Sequence, residues 1–202
     1  MPKFLKGTII LTVITLISGL ALGAVYGITK DPIAAAALAK KQAAYKEVFA
    51  EADSFEDNSE LIADATKAVE KEGIEKTTID EIVAAYSGND LLGYIVTVTN
   101  GSGYGGDIQF TVGINTEAKI TGISFLSIAE SPGLGMTAKD DETWAPQYYD
   151  KDVDEFSVIK GETSSDNEIS AISGATITSK AVTAGVNASL FCYREFLEGG
   201  NK

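Results

Sequence analysis

The chain has 202 residues, 45% of them hydrophobic, with a formal net charge of −13 and a pI of about 4.4. This length and apolar content suit one packed domain with an additional segment. The acidity argues against nucleic acid as a partner, because its phosphates would repel the chain. There is no histidine and a single cysteine, Cys192. Catalysis by Ser-His-Asp or Cys-His groups is therefore excluded, and no metal site is expected.

The N-terminal segment predicts a membrane anchor. Residues Thr8 to Ile28 include no charged side chain, and a helix of about 20 residues spans the hydrocarbon core. Lys3 and Lys6 precede it, which predicts a cytoplasmic N-terminus and an extracytoplasmic bulk. Three lysines that follow the span oppose this orientation: Lys30, Lys40 and Lys41. A cleaved signal peptide is the competing interpretation, although the apolar run exceeds the usual h-region of about 7–15 residues.

Two helices are predicted before the first strand. Apolar positions at helical spacing indicate a helix over Pro32–Ala52, with Pro32 in its first turn, and a second over Ser59–Lys71. Acidic residues near the junction of these helices indicate a solvated, acidic face or loop rather than a cation site: Asp53, Glu56, Asp57 and Glu60. The expected divisions are an anchor over 1–30, a helical stalk over 31–78 and a domain over 79–202.

Four strands follow in the sequence. Glu81–Tyr86 and Gly93–Thr99 flank a turn and form a hairpin pattern, although the first arm is also compatible with a short helix. Ile108–Ile114 and Lys119–Leu126 follow after short connections, so the sheet is expected to be antiparallel. The connection over 100–106 is rich in glycine, but no Lys-Ser/Thr pair follows it, so a P-loop is not expected.

The C-terminal third predicts core aromatics and one long helix. The aromatic side chains within 144–149 are expected in the core. A helix is predicted over Lys180–Leu197, with Cys192 packed on or near its apolar stripe. Gly199 and Gly200 are expected to end it.

Two short runs suggest a binding site. In Ser173–Ser179, small residues precede a threonine and a predicted helix that Ser179 could cap. A helix start offers free N–H groups to an anion, which suits a phosphate held against the Thr176 hydroxyl. In Glu130–Gly135, proline and two glycines would present Leu134 at a loop tip. Without a ligand, the first run is also compatible with a Ser/Thr-rich turn before a helix, and the second with an ordinary Pro-Gly turn.

Ser173–Thr176 resembles the flavinylation motif of the FMN-binding domain family. That family includes the G subunit of the Rnf-type ferredoxin:NAD oxidoreductase and the C subunit of the sodium-pumping NADH:quinone reductase. The wider run Ala171–Val182 and the block Glu130–Gly135 are also similar to the family, with Ser131 where Thr is usual. Ser170 stands where the family usually has Asp. If the flavin transferase recognises that Asp, attachment of FMN to this chain is expected to be slow or to need a different transferase.

The resemblance implies an α+β fold: an N-terminal transmembrane helix and helical stalk, then an FMN-binding domain with an antiparallel sheet packed by helices. It also implies that a flavin transferase joins FMN through its phosphate to Thr176. Gly174 and Ala175 would let the backbone come close, while Ser173 and Thr178 would hydrogen-bond the phosphate or ribityl chain. The remaining residues implied near the flavin are Glu130, Ser131, Gly133, Leu134 and Tyr104, with Leu134 covering the ring.

The implied function is electron transfer in a membrane-bound Rnf-type complex, without independent catalysis by this chain. The expected partners are further Rnf-type subunits, including multi-span membrane subunits, and the expected location is the cell membrane, with a single span. Chain length favours this type over the quinone reductase, whose C subunit usually has a longer chain. Two more functions are compatible with the sequence: a free-standing membrane-anchored flavoprotein and a structural subunit without flavin.

Overall fold

The computed structural model describes residues 2–74 and 76–199 and divides into two compact units. The first unit extends to Gln42 and the second begins at Ala43. Helix α1 spans Lys3–Val48. By length and composition it could cross a membrane. Its most apolar stretch of 18 residues has a mean hydropathy of 2.3, and none of that stretch is buried.

Helix α1 corrects one prediction. Pro32 lies inside a continuous helix and not in the first turn of a second one, and the helix ends at Val48, before the predicted Ala52. A proline inside a helix removes one backbone hydrogen bond, and here the acceptor that loses its donor is the carbonyl of Ile28. The residues around Pro32 include a run of alanines, which are strong helix formers and favour continuation.

The second unit contains a five-stranded antiparallel sheet in which strands follow one another in chain order. Its strands are β1 Ser54–Asp57, β2 Thr77–Ser87, β3 Asp90–Asn100, β4 Ile108–Asn115 and β5 Ile120–Ser127. The four predicted strands are confirmed, and the first hairpin arm is a strand rather than a helix. Part of the acidic segment, expected to be a solvated face or loop, forms β1, in which Phe55 pairs with Ala85 of β2 while Glu56 and Asp57 are exposed.

Short elements complete the chain around the sheet. They are α2 Ile62–Lys71 after a 3₁₀ turn at Ser59–Leu61, α3 Thr137–Asp140, a 3₁₀ turn at Ala145–Tyr148, the parallel pair β6 Ser157–Ile159 and β7 Glu168–Ser170, and α4 Thr176–Cys192 with a π-helical turn at Tyr193–Leu197. Helix α4 begins at Thr176, four residues before the predicted start. Gly199 has a φ of 90° after the final turn, while Gly200 lies outside the described residues.

The two faces of the sheet bury different clusters. Val96 and Val98 belong to the larger cluster with residues of α2 and α4, whereas Ile95 packs with Val48 and Phe49 on the other face. This alternation follows from the two-residue period of a strand. The aromatic side chains of Trp144 and Tyr148 are 6% and 0% exposed, which confirms their predicted place in the core. Cys192 is likewise fully buried.

Candidate functional site

A cavity of about 710 Å³ lies in the second unit. This volume is within the range of about 300–1,000 Å³ typical of small-molecule sites. Four segments line it: the loop before α4 with the first turn of that helix, the loop after β5, the β3–β4 connection and the residues that follow β6. The lining residues are Tyr104, Glu130, Ser131, Leu134, Gly135, Lys160, Gly161, Ala171, Ile172, Ser173, Gly174, Ala175, Thr176, Ile177 and Thr178.

The structure brings the predicted site residues together, with one exception. Every one of them lines the cavity except Gly133, which lies at the tip of its turn with open space around it. Sequence reasoning missed six lining residues: Gly135, Lys160, Gly161, Ala171, Ile172 and Ile177. Four of these lie within the two family-like runs, Glu130–Gly135 and Ala171–Val182. Lys160 and Gly161 follow a three-residue strand and belong to neither run, so no sequence pattern pointed to them.

Thr176 is the first residue of α4 and is half-buried. The preceding N-cap, Ala175, provides no side-chain hydrogen bond. The first N–H groups of a helix have no partner within the helix and lie at the positive end of its dipole. Thr176 therefore presents its hydroxyl beside a group of donors suited to an anion.

The backbone turns sharply just before this helix. Gly174 has a φ of 76°, a conformation that favours glycine. A Cβ atom added at Gly174 would lie 2.9 Å from Cδ2 of Leu134. The two family-like runs therefore touch at this point, and glycine leaves the space that their contact requires.

Ser179 has a different role from the predicted one. It lies inside α4 and is fully buried, so its assignment as the helix cap was wrong. Its Oγ accepts a hydrogen bond from the Ile172 N–H at 3.0 Å and donates one to the Ala175 carbonyl at 3.0 Å. The hydroxyl thereby ties the two ends of the Ser173–Gly174 loop to the helix.

The second run forms a tight turn that reaches the same cavity. The Leu134 N–H donates to the Ser131 carbonyl at 3.2 Å. Pro132 at the second position and Gly133 at the third, with a φ of 73°, match a type II turn. Leu134 follows the tip of this turn and lines the cavity.

Glycine is also required immediately after this turn. A Cβ at Gly135 would lie 2.7 Å from both Oε2 of Glu130 and Oγ1 of Thr178. The turn and helix α4 thus meet at Gly135.

Glu130 is a buried carboxylate at the cavity, with 7% of its surface exposed. Its Oε1 accepts a hydrogen bond from the Gly105 N–H at 3.2 Å. A Cβ at Gly103 would lie 2.8 Å from the same oxygen. Glu130 therefore holds the glycine-rich β3–β4 connection against the cavity and places Tyr104 at its rim.

The rim of the cavity is apolar and open to solvent. Among the described residues after Gln42, the exposed large hydrophobic side chains are Tyr104 at 73%, Leu134 at 45% and Ile177 at 54% exposure. All of them line the cavity. Exposed apolar groups gathered at one concave site are typical of ligand binding. A ligand with an aromatic ring at the rim and an anionic group at the start of α4 would contact both parts of this site. The lining residues therefore fit a flavin that carries a phosphate.

Other chemistries find little support in the described part of the chain. Burial raises the pKa of the Cys192 thiol to about 12, which disfavours a thiolate nucleophile at neutral pH. Within residues 2–74 and 76–199, no group of three or more His, Cys, Asp or Glu side chains could hold a metal ion. The cavity remains the candidate site.

Comparison with known proteins identifies a matching family and relatives of this chain. The family described as FMN-binding domain matches residues 103–190. The G subunit of the Na⁺-translocating ferredoxin:NAD⁺ oxidoreductase complex of Acetobacterium woodii is 37% identical over 191 residues, covering 92% of this chain and 89% of the relative. The G subunit of the proton-translocating ferredoxin:NAD⁺ oxidoreductase complex of Clostridium ljungdahlii is 36% identical over 180 residues, covering 89% and 86%.

Among solved structures, the crystal structure of Shewanella oneidensis NqrC aligns with a TM-score of 0.45 and 18% identity, covering 55% of this chain and 54% of that one. The family match over 103–190 contains both family-like runs and every residue that lines the cavity. The chain belongs to the FMN-binding domain family, together with the G subunits of the ion-translocating ferredoxin:NAD⁺ oxidoreductase complexes.

Proposed function

We propose that this chain is the FMN-carrying electron-transfer subunit of a membrane-bound Rnf-type ferredoxin:NAD oxidoreductase, with FMN attached through its phosphate to Thr176. One observation supports this proposal more than the others. The runs Glu130–Gly135 and Ala171–Val182, roughly 40 residues apart in the sequence, line a single cavity, and Thr176 lies there as the first residue of α4. The family match supports FMN, and the names of the relatives support the type of complex.

The loop before α4 would hold the phosphate. Free N–H groups in the first turn of α4 donate to an anion there. The exposed Ser173 hydroxyl adds a donor, and the positive φ of Gly174 lets the backbone approach closely. Thr178 is buried at the cavity beside Gly135, where its hydroxyl would hydrogen-bond the phosphate or the ribityl chain.

The apolar rim would hold the flavin ring. Leu134 and Ile177 offer aliphatic surface, and Tyr104 offers an aromatic face. Contact with the ring would remove this exposed apolar surface from water. FMN, once bound, supplies one- and two-electron transfer, while the protein supplies orientation and electrostatics. No catalytic side chain from this protein is needed for that role.

Helix α1 would anchor this flavin carrier in the membrane. We assign an anchor over 1–30, with the bulk of the chain on the extracytoplasmic side. The sequence predicts a stalk over 31–78 and a flavin domain over 79–202, but β1 and α2 pack with the sheet, so we place the start of the folded domain before residue 79. Residues Thr8–Ile28 include no ionisable side chain apart from the Tyr26 phenol. Ion pathways in membranes use charged or acidic groups, so ion translocation falls to multi-span partner subunits. A flavin transferase is the additional partner for maturation.

Mass spectrometry of the protein made alongside a flavin transferase tests the attachment. We expect an FMN adduct on the peptide that contains Thr176 and flavin fluorescence that survives denaturation. Thr176→Val keeps the branched shape but removes the hydroxyl, so the adduct should be lost. Thr176→Ser keeps the hydroxyl and is the matched control, expected to retain the adduct. An unmodified Thr176 peptide in the parent protein, or an adduct that persists in Thr176→Val, contradicts the proposal.

A further inference from the structure

The negative charge of this chain opposes the binding of a phosphate group. The chain has a net charge of −13, and the cavity already contains the buried carboxylate of Glu130. The backbone N–H groups of α4 provide only partial charges. Among the described residues that line the cavity, Lys160 is the one cationic side chain. The position of Lys160 relative to the Ser173–Thr176 run therefore decides whether its positive charge can contact the phosphate.

Hydrogen bonds on both sides fix the backbone of Lys160. The carbonyl of Ile159 accepts a hydrogen bond from the Ala171 N–H at 2.9 Å. The carbonyl of Gly161 accepts one from the Ser170 hydroxyl at 2.8 Å. Residues 170 and 171 lead directly into the Ser173–Thr176 run. Lys160 is therefore held beside the segment that would bind the phosphate.

The segment that holds Lys160 is itself anchored. The Ser170 N–H donates to Oε1 of Gln147 at 2.8 Å, and its carbonyl accepts a hydrogen bond from Nε1 of the buried Trp144 at 2.9 Å. The side chain of Lys160 takes no part in the ion pairs between described residues. A lysine on a fixed backbone with an uncommitted charge is suited to bind an anionic ligand.

We propose that the Lys160 ammonium group binds the phosphate of FMN, together with the first turn of α4. This inference rests on the proposed function. The contact would complete an anion site in which the helix provides directed N–H donors and the lysine provides a full positive charge. Lys160 is a binding residue in this scheme, and its contribution is to affinity and selectivity for the phosphorylated flavin.

A comparison of FMN with riboflavin isolates the phosphate. The full-length chain in detergent, with Thr176→Val to prevent attachment, is titrated with each flavin, and binding is followed by flavin fluorescence. Lys160→Gln should weaken FMN binding about tenfold, the loss expected for one charge-assisted hydrogen bond at a solvent-open site. Riboflavin binding should stay unchanged. Lys160→Arg should retain most of the preference for FMN.

Lys139→Gln is the matched control, because Lys139 is exposed and does not line the cavity. It should leave both affinities unchanged. The Lys160 proposal is overturned if Lys160→Gln keeps the full preference for FMN, or if it weakens FMN and riboflavin equally. A Thr176→Val protein that binds neither flavin also overturns the Lys160 assignment, whereas the proposed flavin function fails separately if the Thr176 peptide of the unsubstituted protein has no FMN adduct.

Discussion

The buried hydroxyl of Ser179 shows how one side chain shapes the candidate site. It bonds both the Ile172 N–H and the Ala175 carbonyl, and so closes the loop that contains Ser173 and Gly174. In the sequence Ser179 is one hydroxyl among several, and capping a helix is the usual role of serine at such a place. Its actual role depends on where α4 begins, which the packing of the helix decides.

Ser179→Ala should destabilise the protein by about 1–3 kcal/mol, because the buried Ile172 N–H loses its acceptor. It should also lower flavin incorporation at Thr176, since the loop is no longer tied to the helix. The measurements are thermal or denaturant unfolding of the full-length chain in detergent and the mass of the Thr176 peptide.

Ser189→Ala is the control for this prediction. Ser189 is equally buried in α4, but its hydroxyl donates to the Gly185 carbonyl, which the helix also satisfies. Its loss should cost less than about 1 kcal/mol and leave flavin incorporation intact. Equal effects of the two substitutions would argue against the special role of Ser179.

At the scale of elements, close packing of α4 on the sheet sets the position of the site. A Cβ at Gly185 would lie 2.5 Å from Cζ of Phe110 and 3.1 Å from Cγ2 of Val98. Glycine thus lets the helix approach the strands more closely than alanine would allow. Because Thr176 is the first residue of the same helix, this contact also helps to fix the position of Thr176 relative to the cavity.

Gly185→Ala should therefore destabilise the protein by about 1–3 kcal/mol through overpacking, although alanine is the better helix former. Unfolding of the full-length chain in detergent measures the effect. In a Phe110→Leu background the added methyl group gains space, so the same substitution should cost clearly less. A stabilising effect of Gly185→Ala in the parent would show that the helix can shift without penalty.

At the scale of the whole molecule, charge and hydropathy are unevenly distributed. An uncharged segment over Thr8–Ile28 precedes a strongly acidic remainder. Lys3 and Lys6 lie before the apolar segment, and such lysines favour the cytoplasmic side. The acidic bulk would then face the outside, where the proposed covalent attachment would keep the flavin from diffusing away.

A reporter fused to the C-terminus tests this orientation. Alkaline phosphatase is active only outside the cytoplasm, so we expect activity from that fusion and little fluorescence from a matched fusion to a protein that folds only in the cytoplasm. Replacing Lys3 and Lys6 by glutamine should reduce the bias. The opposite pattern of reporter activity would place the domain in the cytoplasm and refute the assigned sidedness.

The sequence by itself determined the elements with strong local signals. Alternating β-branched residues and short turns were enough to predict β2 to β5, and the two family-like runs pointed to one kind of site. Local signals were insufficient at two places. No strand was predicted at the acidic β1, which pairs with β2 at the edge of the sheet. Pro32 does not interrupt α1, because the alanines beside it favour a helix.

The tertiary structure decided how these residues form one cavity. Tyr104, Leu134 and Thr176 are far apart in the chain, and the family resemblance, not a local pattern, predicted that they lie near one ligand. Lys160 had no sequence signal, because its place depends on the pairing of two three-residue strands, β6 and β7. Such pairing is fixed by contacts distant in sequence. Local propensity thus chose most elements, whereas long-range packing assembled the site.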